Sequence, residues 1–306
     1  MDINGFSRAP LNLEDSNPGS VEYCPGGVGR NIAENLHRLG VKVRFIGVIG
    51  DDPGGEFIKN SSIRLGLNIE HSLFLKNSGP VTSVYIALMD NNGELKIGLA
   101  DMDIMEQMTI EYLESKASII GESDIVVMDT NLPESIFRKW CQSPFLSPFF
   151  LDGVSARKVS KAAKHIGHFD TLKLGRMEAS VLSGVEIPER NSPVFMERLE
   201  EAAGNLLKRG VHRVFITLGK DGVFTAAGNR VFYRPVQYIT PVNTSGGGDA
   251  FMAGIVYGTL NNWDDDKIVS FSLAMARITV QSKQTVSSEI GPEFAEKIMA
   301  NGEQGA

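Results

Sequence analysis

Three consecutive glycines followed by an acid are the residues of this chain whose types and spacing most clearly suggest chemistry. They lie in residues 243–251, which read N-T-S-G-G-G-D-A-F and precede an apolar helical pattern. Glycines let a backbone approach a ligand closely, and a helix N-terminus offers free N–H groups to an anion. Gly246, Gly247 and Gly248 therefore predict a phosphate cradle. Asp249 would repel phosphate unless it faces a hydroxyl whose proton must be removed, so the run predicts phosphoryl transfer to an alcohol.

A second glycine cluster, at residues 25–31, begins another predicted helix. It contains Gly26 and Gly27 but does not fit the lysine-containing P-loop pattern. Asn31 adds a side-chain amide, which both donates and accepts hydrogen bonds and suits a polyol better than a phosphate. Tight helix packing is the alternative interpretation of such a cluster. Two glycine-rich helix starts with different chemistry predict two substrates.

The composition indicates a globular protein that binds small molecules. The chain has 306 residues, 42% of them hydrophobic, and a formal net charge of -7. This charge argues against a nucleic-acid surface, and no apolar run is long enough to span a bilayer. We therefore expect a cytoplasmic protein without nucleic-acid or membrane partners. Cys24 and Cys141 form no disulfide framework and no metal-ligand spacing, so both are predicted to be reduced thiols.

Short β-rich runs alternate with amphipathic segments along most of the chain. This alternation predicts an α/β fold in a single domain over residues 1–306, with a doubly wound, mostly parallel sheet flanked by helices. The predicted strands are 43–49, 124–128, 148–151, 171–174 and 213–218. The predicted helices are 30–39, 55–65, 133–141, 177–183, 193–208, 249–260 and 264–282.

Two further strand-like runs, 83–89 and 94–99, are joined by an Asp-Asn-Asn-Gly turn and predict a hairpin. With residues 13–24, this hairpin is predicted to form a small β-sheet lid over the site, from segments 6–24 and 80–102. Exposed sheets of this kind pair between subunits, which predicts a homodimer through the lid. An added edge hairpin is the alternative.

The two glycine clusters together resemble the signatures of the PfkB, or ribokinase-like, carbohydrate and nucleoside kinases. Residues 26–31 are similar to the family's G-G-x-G-x-N run, and residues 243–249 to its D-T-x-G-A-G-D run with two substitutions. Residues 47–55 and 217–222 resemble two further family segments, so the resemblance covers the chain from Asp2 onward. It implies a ribokinase-like fold and an ATP-dependent kinase.

Within that family the chain is most similar to the pseudouridine kinases. The similarity lies in residues 15–19, in Arg30 inside the first glycine motif, and in residues 101–104 and 152–156. It implies phosphorylation of the 5'-hydroxyl of pseudouridine. A family kinase for another nucleoside or sugar, and a degenerate binding protein without catalysis, are the alternatives.

The resemblance also implies roles for individual residues. Asp249 becomes the base that takes the proton of the acceptor hydroxyl, while the N–H groups of the three glycines hold the migrating phosphoryl group. Mg²⁺ is carried by ATP phosphates and water, with Glu178 organising the metal through water. From the residues alone, Asp249 and Glu178 also fit ordinary acids of a helix. The positions implied for the acceptor are Asp2, Gly26, Gly27, Asn31 and Asp103. The positions implied for the nucleotide are Thr217, Gly219, Gly222 and Thr244.

Three positions depart from the family pattern. Gly175 stands where the family's N-x-x-E motif has Asn, which removes a side-chain contact to phosphate or to metal-bound water. Asn243 stands where the family has an Asp that helps to hold a monovalent cation, so a K⁺ requirement is expected to differ. The family's opening strand, ahead of the acid matched by Asp2, has no counterpart. A missing central strand would expose sheet edges, so the alternatives are a truncated or misassigned start and another segment that fills the gap.

Overall fold

A computed structural model gives the structure of residues 1–76, 79–140, 146–236 and 239–303. Cys24 is a buried, free cysteine, whereas Cys141 lies outside the described residues. The chain divides into two compact units. The first comprises Met1–Met108, Ile239–Thr259 and Ser270–Ala306, and the second comprises Thr109–Tyr238 and Leu260–Val269.

The elements alternate between strands and helices through the middle of the chain. The strands are β1 (Asp2–Ser7), β2 (Gly19–Cys24), β3 (Val48–Ile49), β4 (Leu73–Phe74), β5 (Val84–Met89), β6 (Leu95–Asp101), β7 (Val126–Asp129), β8 (Phe149–Asp152), β9 (Thr171–Gly175), β10 (Arg213–Thr217), β11 (Val223–Ala227) and β12 (Arg230–Arg234). The helices are α1 (Val28–Arg38), α2 (Pro53–Leu65), α3 (Ile110–Glu114), α4 (Ala117–Gly121), α5 (Glu134–Trp140), α6 (Ala156–Val159), α7 (Arg176–Ser183), α8 (Phe195–Leu207), α9 (Gly247–Leu260), α10 (Asp265–Val280) and α11 (Pro292–Glu303).

A four-stranded sheet with the order β2-β1-β5-β6 dominates the first unit. The predicted hairpin is present as β5 and β6, which pair antiparallel, and its turn is closed by the Gly93 N–H donating to the Asp90 carbonyl. β1 lies between β2 and β5 and pairs parallel with β5. The predicted small sheet therefore exists, and it contains a strand that we did not predict.

The two faces of this sheet differ in chemistry. Directly paired residues share a face, and Asp2 pairs with Cys24 and Tyr85 on the face that is buried. On the opposite face, Ile3 pairs with Tyr23 and Ile86. We call this opposite side the apolar face. Its large side chains are 40% to 64% exposed and comprise Val21, Tyr23, Ile86, Ile97 and Leu99.

The predicted strand 43–49 is much shorter in the structure. Only Val48 and Ile49 form a strand, which pairs with β4, and Arg44 makes an isolated bridge to Asn68. The bridge and the strand pair are four positions apart in one segment, from Arg44 to Val48, and five in the other, from Asn68 to Leu73. The pairing of the two segments is therefore not continuous. Ile49 still contributes to a small core. The members of that core are Ala33, Ile49, Ile58, Leu67 and Ile69.

The second unit contains a six-stranded sheet with the order β12-β11-β10-β9-β8-β7. Strands β7 to β10 are parallel, as predicted, and β11 and β12 extend the sheet antiparallel. Its central strands are apolar on both faces, with Leu172, Leu174 and Phe215 fully buried, as expected for a parallel sheet covered by helices. Among the described strands, β7 and β12 form the two edges of this sheet.

None of the helices in the described ranges combines the length and the apolar character that a bilayer crossing requires.

Candidate active site

The side chains of Asn31 and Asp249 meet in the first unit. The Asn31 amide Nδ2 donates a hydrogen bond of 2.8 Å to Asp249 Oδ2. Asn31 is 2% exposed and Asp249 is 8% exposed. Asn31 Oδ1 is buried and has no hydrogen-bond partner among the described residues. The structure thus brings together one residue from each glycine-rich motif.

Gly26 makes room for the carboxylate of Asp2. A Cβ atom at Gly26 would lie 1.9 Å from Asp2 Oδ1, which is far inside contact distance. Asp2 is 7% exposed, and burial raises the pKa of its carboxyl group, while Arg30 opposes that rise. The next residue, Gly27, precedes the first turn of α1. Asp2 is therefore a buried acid held against the start of α1.

The phosphate cradle predicted from the three glycines is the start of α9. Gly247 is the first residue of the helix, and the Ala250 N–H already donates to the Gly246 carbonyl. In an α-helix, the N–H groups of the first turn come before the first i→i−4 hydrogen bond and point out of the helix start. Gly246 has a φ of 82°, and a Cβ there would lie 1.9 Å from the Thr285 carbonyl oxygen. Both the conformation and the space at this position require glycine.

The side chain of Asn243 stabilises the loop before α9 with two hydrogen bonds. Its Nδ2 donates to the Lys283 carbonyl at 3.0 Å, and its Oδ1 accepts from the Ser245 N–H at 2.9 Å. The side chain is fully buried. An aspartate would keep the second hydrogen bond but lacks the donor for the first. The amide of Asn243 thus provides the Lys283 carbonyl with a hydrogen-bond donor from within the protein.

Two of the predicted site residues are exposed. Asp103 begins a short 3-10 helix after β6, where its N–H lies 3.5 Å from Asp101 Oδ1. Thr244 lies in the loop between Asn243 and the glycines.

The second unit contains a pocket at the carboxyl ends of its parallel strands, where α/β sheets commonly bind ligands. The pocket has a volume of about 350 Å³. Thr217 and Gly175 end neighbouring strands there and form a direct pair. The residues that line it are Gly175, Arg176, Met177, Glu178, Glu189, Arg190, Phe195, Thr217, Leu218, Gly219, Lys220 and Asp221. Gly222 lies in the turn next to the pocket. The turn requires glycine there, because a Cβ atom would lie 2.1 Å from the Arg234 carbonyl oxygen.

The carboxylate of Glu178 occupies the place of a side chain at position 175. Glu178 Oε2 accepts a hydrogen bond from the Gly175 N–H, and a Cβ at Gly175 would lie 2.5 Å from that oxygen. Burial raises the pKa of Glu178, which Lys173 and the Gly175 N–H oppose. Lys173 is itself buried and paired with Asp152 at 2.8 Å. The space opened by the missing Asn is therefore taken up by the glutamate of the same motif.

The family model described as pfkB family carbohydrate kinase matches residues 1–290, which include both glycine-rich motifs. The chain belongs to the pfkB family. It is thus a sugar or nucleoside kinase, a phosphotransferase that acts on an alcohol group.

Relatives and solved structures agree with this assignment. The chain is 30% identical over 305 residues to a pseudouridine kinase of Escherichia coli strain K12, covering 99% of this chain and 95% of the relative. A crystal structure of a putative sugar kinase from Clostridium perfringens is 32% identical, with a TM-score of 0.77 over 99% of this chain and 92% of that one. The Arabidopsis thaliana ribokinase complexed with ribose and ATP is 20% identical, with a TM-score of 0.78 over 97% of this chain and 95% of that one. The α/β fold is therefore ribokinase-like.

The structure of this pfkB kinase adds two residues that we did not predict for the site. The backbone carbonyl of Thr285 packs against Gly246, yet Thr285 lies in a stretch without a recognisable motif. Arg30 is 3% exposed and its guanidinium lies 2.8 Å from Glu34. The position of Arg30 inside the first glycine motif could have identified it as a site residue. No sequence pattern could have identified Thr285.

Proposed function

We propose that this kinase transfers the γ-phosphoryl group of ATP to the 5'-hydroxyl of pseudouridine. The observation that carries the proposal is the buried pair of Asn31 and Asp249 at the start of α9. A carboxylate at that position matches a base that removes a hydroxyl proton beside a phosphate cradle. The pseudouridine kinase of Escherichia coli, similar over 99% of the chain, supports the choice of acceptor.

In this proposal the acceptor is held by the buried polar groups of the first unit. Asp249 Oδ1 or Oδ2 takes the proton of the 5'-hydroxyl, and Asn31 fixes the orientation of that carboxylate. The unpartnered Asn31 Oδ1 and the carboxylate of Asp2 accept hydrogen bonds from ribose hydroxyls. The first-turn N–H groups of α9 stabilise the charge that develops on the phosphoryl oxygens. Asp103 is proposed to face the base.

The pocket of the second unit fits an adenine nucleotide. Arg176, Arg190 and Lys220 line it and can donate hydrogen bonds to phosphate oxygens. Two of these bases are paired with acids of the same pocket, Arg176 with Glu189 and Arg190 with Asp221. Thr217 and Gly219 lie at the strand end and turn where a nucleotide is proposed to bind, with Gly222 and Thr244 as further nucleotide positions. ATP supplies the phosphoryl group and brings Mg²⁺ on its phosphates, since Mg²⁺ keeps several waters and uses few protein ligands. Glu178 is proposed to organise that ion through water.

The apolar face of the four-stranded sheet is proposed to pair two copies of the chain. Contiguous apolar surface of this kind is rare on monomers. A second copy presents the same self-complementary face, as a two-fold dimer requires. A kinase that uses ATP is further proposed to work in the cytoplasm.

A substrate panel tests the function directly. The protein is incubated with ATP, Mg²⁺ and one acceptor at a time: pseudouridine, uridine, inosine, guanosine or ribose. ADP release gives the rate, and phosphorus NMR locates the product phosphate. We expect the highest kcat/KM for pseudouridine and a 5'-phosphate product. A clear preference for another acceptor would replace pseudouridine, and no turnover with any of them would contradict the kinase reaction for these acceptors.

The Asp249→Asn variant tests the proposed base. We expect loss of turnover with ATP binding retained in calorimetry. Asp264→Asn, an acid just before α10, is the control and is expected to behave as the wild type. Turnover of Asp249→Asn close to that of the wild type would remove Asp249 from the role of base.

A further inference from the structure

The segment from Gly47 to Gly55 has no place in the reaction described so far, although it stands out in the sequence. In the structure, Asp52 is the N-cap of α2, and its Oδ1 accepts from the Gly55 N–H at 3.0 Å. Its other oxygen, Oδ2, accepts from both the N–H of Thr82 at 2.7 Å and the hydroxyl of Thr82 at 2.9 Å. One carboxylate therefore joins the start of a helix to Thr82.

Two glycines let the chain close around this pair. The Gly50 N–H donates to Thr82 Oγ1 at 3.0 Å, and a Cβ at Gly50 would lie 2.3 Å from Asp52 Oδ2. A Cβ at Gly55 would lie 2.1 Å from the Gly50 carbonyl oxygen. Neither glycine has a positive φ, so space rather than conformation requires them. The segment is built around the contact between Asp52 and Thr82.

Thr82 is 4% exposed and lies just before β5. β5 pairs parallel with β1, and Tyr85 is the direct partner of Asp2. Only Ser83 and Val84 lie between Thr82 and Tyr85, a span of at most about 10 Å. A fixed Thr82 thus sets where β5 begins, and β5 sets the position of the strand that carries Asp2.

We call the contact between Asp52 and Thr82 the clamp, and its hydrogen bonds favour the ionised form of Asp52. Burial alone would raise the pKa of Asp52, but the hydrogen bonds from Thr82 and Gly55 hold that pKa below its ordinary value. A charged acceptor makes stronger hydrogen bonds than a neutral one. The contact is therefore at full strength at neutral pH.

We propose that Asp52 is a positioning residue: through Thr82 it fixes β5, and through β5 the acceptor-binding acid Asp2, without touching substrate. This inference rests on the proposed function. It gives residues 47–55 the role of anchoring the sheet that binds the acceptor.

Three variants and a matched control test the clamp. Thr82→Val removes the hydroxyl and keeps the shape, Thr82→Ser restores the hydroxyl, and Asp52→Asn removes the charge. Glu56→Gln is the control, because Glu56 is an exposed acid in the same first turn of α2. For each folded protein, kcat and the KM values for acceptor and for ATP are measured separately.

We expect Thr82→Val and Asp52→Asn to raise the acceptor KM by about tenfold, as loss of a buried hydrogen bond to a charge implies. The ATP KM should stay within about twofold, since uniform damage would move both constants. Thr82→Ser and Glu56→Gln should behave as the wild type. An unchanged acceptor KM in Thr82→Val, or equal changes in both KM values, overturns the proposal.

Hydrogen exchange separates this inference from the proposed function. We expect the amides of β5 to exchange faster in Thr82→Val than in Thr82→Ser, with or without substrate. If the wild type phosphorylates no nucleoside or sugar, the proposed function fails while this comparison still decides whether the clamp exists. Equal exchange of β5 in the two variants overturns the clamp.

Discussion

The Asn31 side chain holds Asp249 by a hydrogen bond of 2.8 Å, although 218 positions separate the two residues in the chain. The bond uses the donor of the amide and leaves its buried acceptor without a protein partner. One side chain thus orients the proposed base and, in the proposed reaction, offers its oxygen to a hydroxyl of the substrate.

Replacing Asn31 should therefore damage catalysis more than stability. In Asn31→Ala we expect kcat/KM to fall about 100-fold, equivalent to about 2.7 kcal/mol, because a hydrogen bond to a charged group and a ligand contact are both lost. Steady-state kinetics with saturating ATP gives the value. Asn60→Ala, at an exposed position of α2, is the control. A loss of less than threefold in Asn31→Ala would show that Asp249 is oriented without it.

A methyl group at position 26 should act on the acceptor through Asp2. In Gly26→Ala the new Cβ displaces the carboxylate that lies 1.9 Å away, and we expect the acceptor KM to rise about 10- to 100-fold. Gly204→Ala is the matched control, because a Cβ in the middle of α8 meets nothing within 4 Å. That variant should gain about 0.5–1 kcal/mol in stability and keep its kinetics. Unchanged acceptor binding in Gly26→Ala would refute the contact.

Glu178 should make the stability of the protein depend on pH. Because burial raises its pKa above the ordinary 4.5, the folded state favours the protonated form. Stability from this group is full below pH 4.5 and is lost as the pH rises through the folded-state pKa. Glu178→Gln keeps an acceptor for the Gly175 N–H and avoids that loss. In urea unfolding, the free energy of unfolding of Glu178→Gln should therefore increase relative to that of the wild type between pH 4 and pH 8.

The control for that series is Glu200→Gln, an exposed position of α8. No such divergence with pH is expected for it. If the difference between Glu178→Gln and the wild type stays constant over the whole range, Glu178 does not titrate with a raised pKa.

Asn243 should determine the response to K⁺. In the wild type its amide donates to the Lys283 carbonyl, and we expect equal rates in potassium and tetramethylammonium salts. Asn243→Asp replaces that donor by a carboxylate oxygen, so two oxygens then face each other and favour a cation between them. We expect this variant to be slow without K⁺ and to recover when K⁺ is added. A strongly K⁺-dependent wild type would contradict this account.

Several elements were predictable because their signals are local. The helices α1 and α2 follow from apolar periodicity and from glycine or N-cap residues near their ends. The helix α9 follows from a long apolar run after three glycines, and the hairpin β5–β6 from its Asn-Gly turn. The site residues next to glycines were predicted from the same kind of local signal. The strand β1 was not, because its polar residues Asp2 and Asn4 face the buried side and its partner β5 lies far along the chain.

The reasons for individual glycines were also hidden in the sequence. Gly26 was predicted as part of a glycine-rich helix start, and the structure adds that it leaves space for Asp2. At Gly175 we predicted a missing contact, but Glu178 folds back into that space. Asp52 and Thr82 gave no sign that they meet. Contacts between distant segments depend on the whole fold, and no local pattern encodes them.

The four-stranded sheet carries Asp2 on one side and the apolar face on the other, along the same strands. A strand cannot change its register on one face and keep it on the other. If two copies pair through the apolar face, formation of the dimer and the affinity for the acceptor substrate affect each other. Specific activity per subunit then depends on protein concentration, and dilution below the dissociation constant of the dimer weakens acceptor binding before the subunit unfolds.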